Sequence, residues 1–202
     1  MALPRFAVVD LETSGLSTSR HRVLQIGVVT VDADGTVVDE WESLVRLRWP
    51  LARVGPTHVH GLTRSDLRGA PRIGSVLDEF ERQVGESLFT AHNAGFDGSF
   101  LMQAARRRNG CTPPCLSPRL CTLRMSRRLD PERTLSHRLG DVCARYGVAI
   151  ERPHDALADA SATAAILPHL LAAHSITEFE QLTPFFDREP AAETRGPIPQ
   201  SR

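Results

Sequence analysis

The chain contains no lysine, so all 24 of its basic residues are arginine. Every cationic side chain is therefore a planar, bidentate donor suited to carboxylate and phosphate oxygens. Net charge is also missing, since 24 acidic residues balance the 24 basic ones. That balance excludes a histone-like polycation and leaves room only for a local basic patch. No unbroken apolar run approaches the ~18 residues of a bilayer crossing, so no membrane partner is expected. No secretory signal pattern precedes the first apolar run at Phe6, and the expected location is cytoplasmic. Cysteine is scarce, with only Cys111, Cys115, Cys121 and Cys143. Cys111 and Cys115 have the looser spacing of a zinc knuckle, but Cys121 and Cys143 do not form a second pair. Reduced thiols are expected rather than structural zinc. No internal repeat is present.

What remains is a chain of 202 residues, 41% hydrophobic, the size of one α/β domain with a short tail. Phe6 to Val9 reads as a buried strand and Val23 to Val31 as a second. Asp34-Gly35 signals a hairpin turn, so residues 36–45 return as an antiparallel third strand. Thr63-x-x-Asp66 resembles a capping box ahead of a short helix. Ile73, Val76, Leu77, Phe80 and Val84 then form one apolar helical stripe. Leu88 to Ala91 supplies a fourth strand, which turns through His92-Asn93-Ala94-Gly95 into a helix over residues 96–108. Strand, tight turn and helix make a parallel α/β unit. A fifth strand is expected at residues 120–123. Leu135, Leu139, Val142, Cys143 and Tyr146 share one face of a further helix, stopped by Gly147. The last long helix runs from Ala156 to Ala173, where Pro168 is expected to kink or end it. Residues 176–186 form a short terminal helix or strap, and residues 187–202 read as a disordered tail.

Two carboxylates close the first strand. Residues i and i+2 of a strand share a face, so Asp10 and Glu12 stand side by side. Either the strand surfaces there and its acids are solvated, or a cation sits between them. Two more acids bear on the choice. Asp97 lies on the same helical stripe as Phe100, Leu101 and Ala104, and Asp159 on that of Thr163, Ile166 and Leu170. The helix dipole favours an acid in a first turn but does not explain its inward direction. An inward acid needs a partner, an arginine or a metal ion. Four of them with no evident buried cation beside them favour the metal. His154 precedes the last long helix, where an imidazole at the rim can take a proton from water. Asp155 is expected to cap that helix or face solvent.

In this order, Asp10-x-Glu12, His92-Asn93-x-x-Phe96-Asp97 and His154-x-Ala156-Leu157-x-Asp159-Ala160 resemble the three motifs of the DEDDh 3′→5′ exonucleases. That group includes the proofreading (epsilon) subunits of bacterial DNA polymerase III. His60-Gly61-Leu62-Thr63 and residues 135–147 are similar too, so the match covers residues 5–173. A lone D-x-E is weak, whereas three ordered motifs ending in H-x4-D are specific. The resemblance implies a ribonuclease-H-like α/β fold over residues 1–186. Its five-stranded mixed sheet has three antiparallel strands, then two parallel ones, flanked by helices. It also implies that Asp10, Glu12, Asp97 and Asp159 bind two divalent cations, Mg²⁺ or Mn²⁺, with His154 as general base. Thr13, Leu16, His60, His92, Asn93 and Phe96 then fall in the substrate pocket, Leu16 as a wedge against a terminal base. The chain departs from the pattern at Gln25, where many relatives carry Glu, at Ser14 for Thr, and at Cys121-Thr122, where Asp is common. None of these is one of the five catalytic positions.

The implied substrate is a single-stranded DNA 3′ end, gripped by backbone contacts and stacking. RNA ends are the alternative, and a non-catalytic nucleic-acid or polymerase-binding module is a third reading. Arg106, Arg107, Arg108, Arg119, Arg124, Arg127, Arg128, Arg133 and Arg138 face only Asp130 and Glu132. They make either a phosphate track or a solvated helix face. Gln181-Leu182-Thr183-Pro184-Phe185-Phe186 faintly resembles a sliding-clamp-binding peptide, while a strap packing Leu182 and both Phe residues on the core is the plainer reading. A polymerase or clamp partner stays open, with little chain after Phe186 to tether one.

Overall fold

The two most apolar, β-branched stretches become the centre of the sheet, as their propensity favours. They are β1 (Phe6–Thr13) and β2 (Val23–Val31), and every residue of β2 is buried. The computed structural model describes residues 1–48 and 52–187. After β3 (Val37–Leu44) come the short helices α1 (Thr57–His60) and α2 (Arg64–Arg68), then α3 (Ile73–Val84). Next are β4 (Leu88–Ala91), α4 (Ala94–Asn109), β5 (Arg119–Cys121) and α5 (Thr122–Arg128). The chain closes with α6 (Leu139–Arg145), α7 (Ala156–Ala173) and a 3-10 segment, Phe179–Phe185. The strand order is β3-β2-β1-β4-β5. β1, β2 and β3 pair antiparallel, whereas β4 pairs parallel with both β1 and β5. This is the five-stranded mixed sheet expected.

Alternation along β1 divides the core in two. Ala7, Val9 and Leu11 enter one cluster with Val76, Phe80, Phe100 and Leu101 of α3 and α4. Phe6 and Val8 enter the other, with Val142 of α6 and Ile166, Leu167 and Leu170 of α7. Asp10 and Glu12 continue the second face.

Several expectations need correction. β5 ends at Cys121, and Thr122 starts a helix that the sequence did not announce, since Thr122–Arg128 offers few apolar residues. α4 starts at Ala94, two residues earlier than expected. α6 starts only at Leu139, and Leu135 is exposed in the preceding loop, where its amide donates to Asp130 Oδ2 (2.9 Å). Pro168 neither ends nor divides α7, which continues to Ala173. With a mean hydropathy of 1.4, α7 is also long and apolar enough to cross a membrane. It lies instead on β1 and β2, with Ile166, Leu167 and Leu170 fully buried, as a core helix does.

The C-terminal strap is the core-packed one. Leu182 and Phe185 are buried, so the side chains of the clamp-like peptide are already occupied. Phe186 bridges to Leu120 of β5, and the Asp187 amide donates to the Arg119 carbonyl (2.8 Å). Asp187 is therefore part of the fold, and the remaining expected tail, residues 188–202, lies outside the described residues. Its carboxylate accepts from Arg119 Nη2 at 3.2 Å. Arg119 is not on a phosphate track, because its side chain is 1% exposed. It passes beneath Gly98 of α4, where a Cβ would stand 2.5 Å from the arginine Cδ.

Removing Asp187 would leave a buried guanidinium without a counter-charge. We predict that Asp187→Ala destabilises the fold by about 3 kcal/mol and that Arg119→Met costs less. Denaturant unfolding measures both, and equal, sub-kcal effects would remove the buried pair from the account.

Candidate active site

The site is assembled at the end of β1. Asp10 pairs in register with Gly27 and Glu12 with Gln25, and the register shifts between Glu12 and Thr13. Such an irregularity bends a strand and re-aims its side chains. The Thr13 hydroxyl donates to the Gly15 carbonyl (2.9 Å) as the chain turns. Two helix starts converge there. α4 brings Asp97, which is buried, and α7 brings Asp159, each in the first turn where the helix dipole favours an acid. Asp155 caps α7, accepting the Ala158 amide at 3.1 Å. His154, just ahead of it, adopts a left-handed backbone (φ 65°), and its amide donates to Asp159 Oδ2 at 3.1 Å.

The acids raise one another's pKa. Burial pushes Asp10 well above the usual carboxylate range, and the charges of Asp97, Asp159, Glu12 and Asp155 add to it. Burial carries Glu12 up to about 8, with Asp159, Asp155 and Asp97 contributing. Asp97 rises to about 7 through burial, with its own amide and that of Leu11 drawing it partly back. Burial raises Asp159 too, opposed by the His154 amide.

Among the described residues, none of Asp10, Glu12, Asp97 and Asp159 has an ion-pair partner. Clustered acids without a cation are costly, and hard divalent ions prefer such an all-oxygen set. The residues therefore fit a divalent metal. Glu12, His154 and Asp159 each offer a ligand atom within 4.8 Å of the others. Asp10 and Asp97 stand close enough to repel one another and lie outside that tightest group.

The residues assigned to the substrate pocket separate into two sets. Leu16 is 84% exposed and Asn93 is exposed at the start of α4 with no capping bond, whereas Phe96 is half-buried on Phe100. His60 is buried, and its Nδ1 accepts the Leu62 amide (3.1 Å). Burial pushes its imidazole below the usual range, opposed by a hydrogen bond to the Val54 backbone, with His58 and His154 adding to the downward shift. His92 departs from expectation. Its Nε2 donates to the His137 carbonyl (2.8 Å) and its Nδ1 pairs with the Thr122 hydroxyl (3.0 Å), so neither ring nitrogen is free for a substrate. Arg108 likewise pairs with Asp78, and Arg107 donates to the Thr18 and Ser19 carbonyls. Arg127, Arg128, Arg133 and Arg138 remain exposed.

Sequence reasoning missed three supports. Asp155 was assigned a cap, but its charge also loads the acid cluster. Arg107 anchors the loop carrying Leu16, and nothing in its Arg-Arg-Arg run marked which arginine would do so. Gln25 reads in the sequence as a departure able to hydrogen-bond a sugar or base; it is 5% exposed and bonds both β3 and α7.

A family model described as an exonuclease (RNase T type) matches residues 7–167. The chain is 32% identical over 181 residues to the PolC-type DNA polymerase III of Streptococcus thermophilus, an alignment covering 88% of this chain and 12% of that protein. Among solved structures, Exonuclease X in complex with 5′-overhanging duplex DNA is similar, with a TM-score of 0.67 and 26% identity over 90% of this chain and 98% of that one. The nuclease domain of 3′hExo, a DEDDh family member bound to rAMP, has a TM-score of 0.74 at 15% identity, covering 93% and 98% of the two chains. The sheet order is that of the ribonuclease-H-like exonuclease domains.

A pH dependence follows from the raised acids. An unfolded Glu12 ionises near about 4.3, the ordinary carboxylate value. The folded one ionises at about 8. Between those values the folded state holds a proton that the unfolded state has lost, so stability falls as pH rises. In EDTA, the melting temperature is expected to drop from about pH 5 to about pH 8, less steeply in Glu12→Gln. Mg²⁺ or Mn²⁺ is expected to raise it most at the upper end. A profile in EDTA that is flat for both proteins would contradict the electrostatic account.

Proposed function

The chain belongs to the DEDDh exonuclease family, and on that premise we propose that it removes nucleoside 5′-monophosphates from the 3′ end of single-stranded DNA. The observation that carries the reading is the convergence of Asp10, Glu12, Asp97 and Asp159, without an ion-pair partner among the described residues, with His154 at their rim. The family generally uses divalent metal ions. Two ions, Mg²⁺ or Mn²⁺, held by these carboxylates would supply an activated water and neutralise charge on the phosphoryl and leaving 3′ oxygens.

The chain's own residues do the remaining work. The exposed His154 imidazole stands beside Glu12 and Asp159 and takes the proton from the attacking water. Its left-handed backbone, tied to Asp159, limits how far the ring can drift. Leu16 projects from a loop braced by Arg107 and stacks against the terminal base. Asn93, exposed and making no capping bond, offers polar atoms to the same nucleotide, with buried His60 as a lining residue. His92 supports the pocket from behind. Exposed Arg127, Arg128, Arg133 and Arg138 receive the backbone farther along the strand. The similarity to a PolC-type DNA polymerase III supports a place beside a polymerase, and a cytoplasmic role in DNA proofreading or repair completes the proposal.

End-labelled single-stranded DNA and RNA, incubated with Mg²⁺, Mn²⁺ or EDTA, test the reading. The wild type is expected to shorten DNA from the 3′ end with either metal and not in EDTA, and Asp10→Ala to be inactive. Faster RNA trimming would shift the assignment to an exoribonuclease. A wild type as inert as Asp10→Ala with both metals would end the enzymatic reading. His154→Ala is expected to lose about 10²–10⁴-fold in kcat. Leu16→Ala is expected to raise KM while keeping kcat, since stacking on one base contributes about 1–3 kcal/mol.

A further inference from the structure

The two residues of β2 that pair with the paired acids of β1 are not ligands, yet both touch α7. Gln25, opposite Glu12, is buried, and both ends of its amide are engaged. Its Nε2 donates to Glu42 Oε2 of β3 at 3.2 Å. A carboxylate only accepts, so the amide nitrogen must face Glu42 and Oε1 must face α7. There Oε1 accepts the Ala156 amide, the first of the helix, at 3.4 Å. Gly27, opposite Asp10, makes the approach possible. A Cβ at Gly27 would stand 2.5 Å from the carbonyl carbon and oxygen of Ala156 and from the nitrogen of Leu157, all backbone atoms that cannot swing aside.

We propose that Gln25 and Gly27 are positioning residues that seat the first turn of α7, and so set where His154 and Asp159 stand relative to Asp10 and Glu12. Residues directly opposed across a strand pair share a face and lie close together. The register that sets Asp10 and Glu12 side by side therefore sets the seat beside them. His154 and Asp159 flank Ala156 by two and three residues, so a shift of the seated turn is passed directly to both. The neutral Gln25 also offers an acceptor to the helix without adding a further carboxylate beside Glu12. Its consequence for catalysis rests on the nuclease reading above; the seat itself does not.

Gly27→Ala and Gln25→Leu test the proposal, the second altering no backbone geometry should the first fail to fold. Amide exchange across residues 154–160 in EDTA reads the seat directly. Gln25→Leu is expected to speed it about fivefold or more, the effect of losing one hydrogen bond. Calorimetry with Mn²⁺ is expected to show affinity about 10–100-fold weaker, as for loss of a residue that orients metal ligands. On DNA, kcat is expected to fall about 10²-fold with KM nearly unchanged. Unchanged exchange in both variants would overturn the proposal. So would a Gln25→Leu protein that raises KM alone, since Gln25 would then contact substrate. If the wild type neither binds Mn²⁺ nor cleaves, the nuclease reading falls, while the exchange data still decide whether β2 seats the helix.

Discussion

Repulsion between carboxylates gathered in a water-poor pocket is the constraint that the rest of the fold has to withstand. Asp10 feels Asp97, Asp159, Glu12 and Asp155 at once. Left to itself, such a cluster relaxes by splaying its side chains into water or by taking up protons. The fold blocks the first route. Asp10 and Glu12 are fixed by their pairing with β2, on a central strand that β4 also holds over Phe6 to Val8, and the two other ligand acids ride on helices packed on opposite faces of that sheet. Helix starts help to keep the acids in place, because the partial positive charge there offsets some of the repulsion.

That rigidity reaches well behind the site. His92, at the end of β4, is bonded to Thr122 at the start of α5 and to the His137 carbonyl in the loop that follows. His137 in turn contacts Asp130 (3.1 Å) and Ser126 (2.9 Å), and Arg145 of α6 donates to Ser126 (3.0 Å). Amides of Leu135 and Thr134 hold the Asp130 carboxyl below its usual range, which keeps it an acceptor. This polar network closes the gap between β4, α5 and α6. His92 leads directly into the turn that starts α4, so the network also steadies Asp97. Buried polar networks of this kind contribute chiefly when every member is satisfied.

The strands, the long helices and the acid cluster were legible because each leaves a periodic mark. An acid on an apolar stripe, such as Asp97 beside Phe100 and Leu101, is visible without coordinates. Side-chain direction was not. Arg119 looked like one more cation in a basic run, yet it is a buried partner of Asp187. His92 belonged to a recognisable motif, but a motif says what chemistry an imidazole can do and not which neighbours already hold its nitrogens. α5 was hidden because seven residues with few apolar positions carry almost no amphipathic signal. Pro168 does not end α7 because a proline's local preference can be overridden where a helix is held by packing along its length.

The sheet order has one more effect. Asp39, Glu40 and Glu42 lie on β3, at one edge, while exposed Arg127 and Arg128 belong to α5, which follows β5 at the other. Those two segments therefore carry local charge of opposite sign, although the chain as a whole is neutral. In a solution of low ionic strength, a polyanion would be turned by their field before it made contact, arriving at the arginine side and not at the acidic edge. Added salt would weaken this orientation without altering any atom of the pocket.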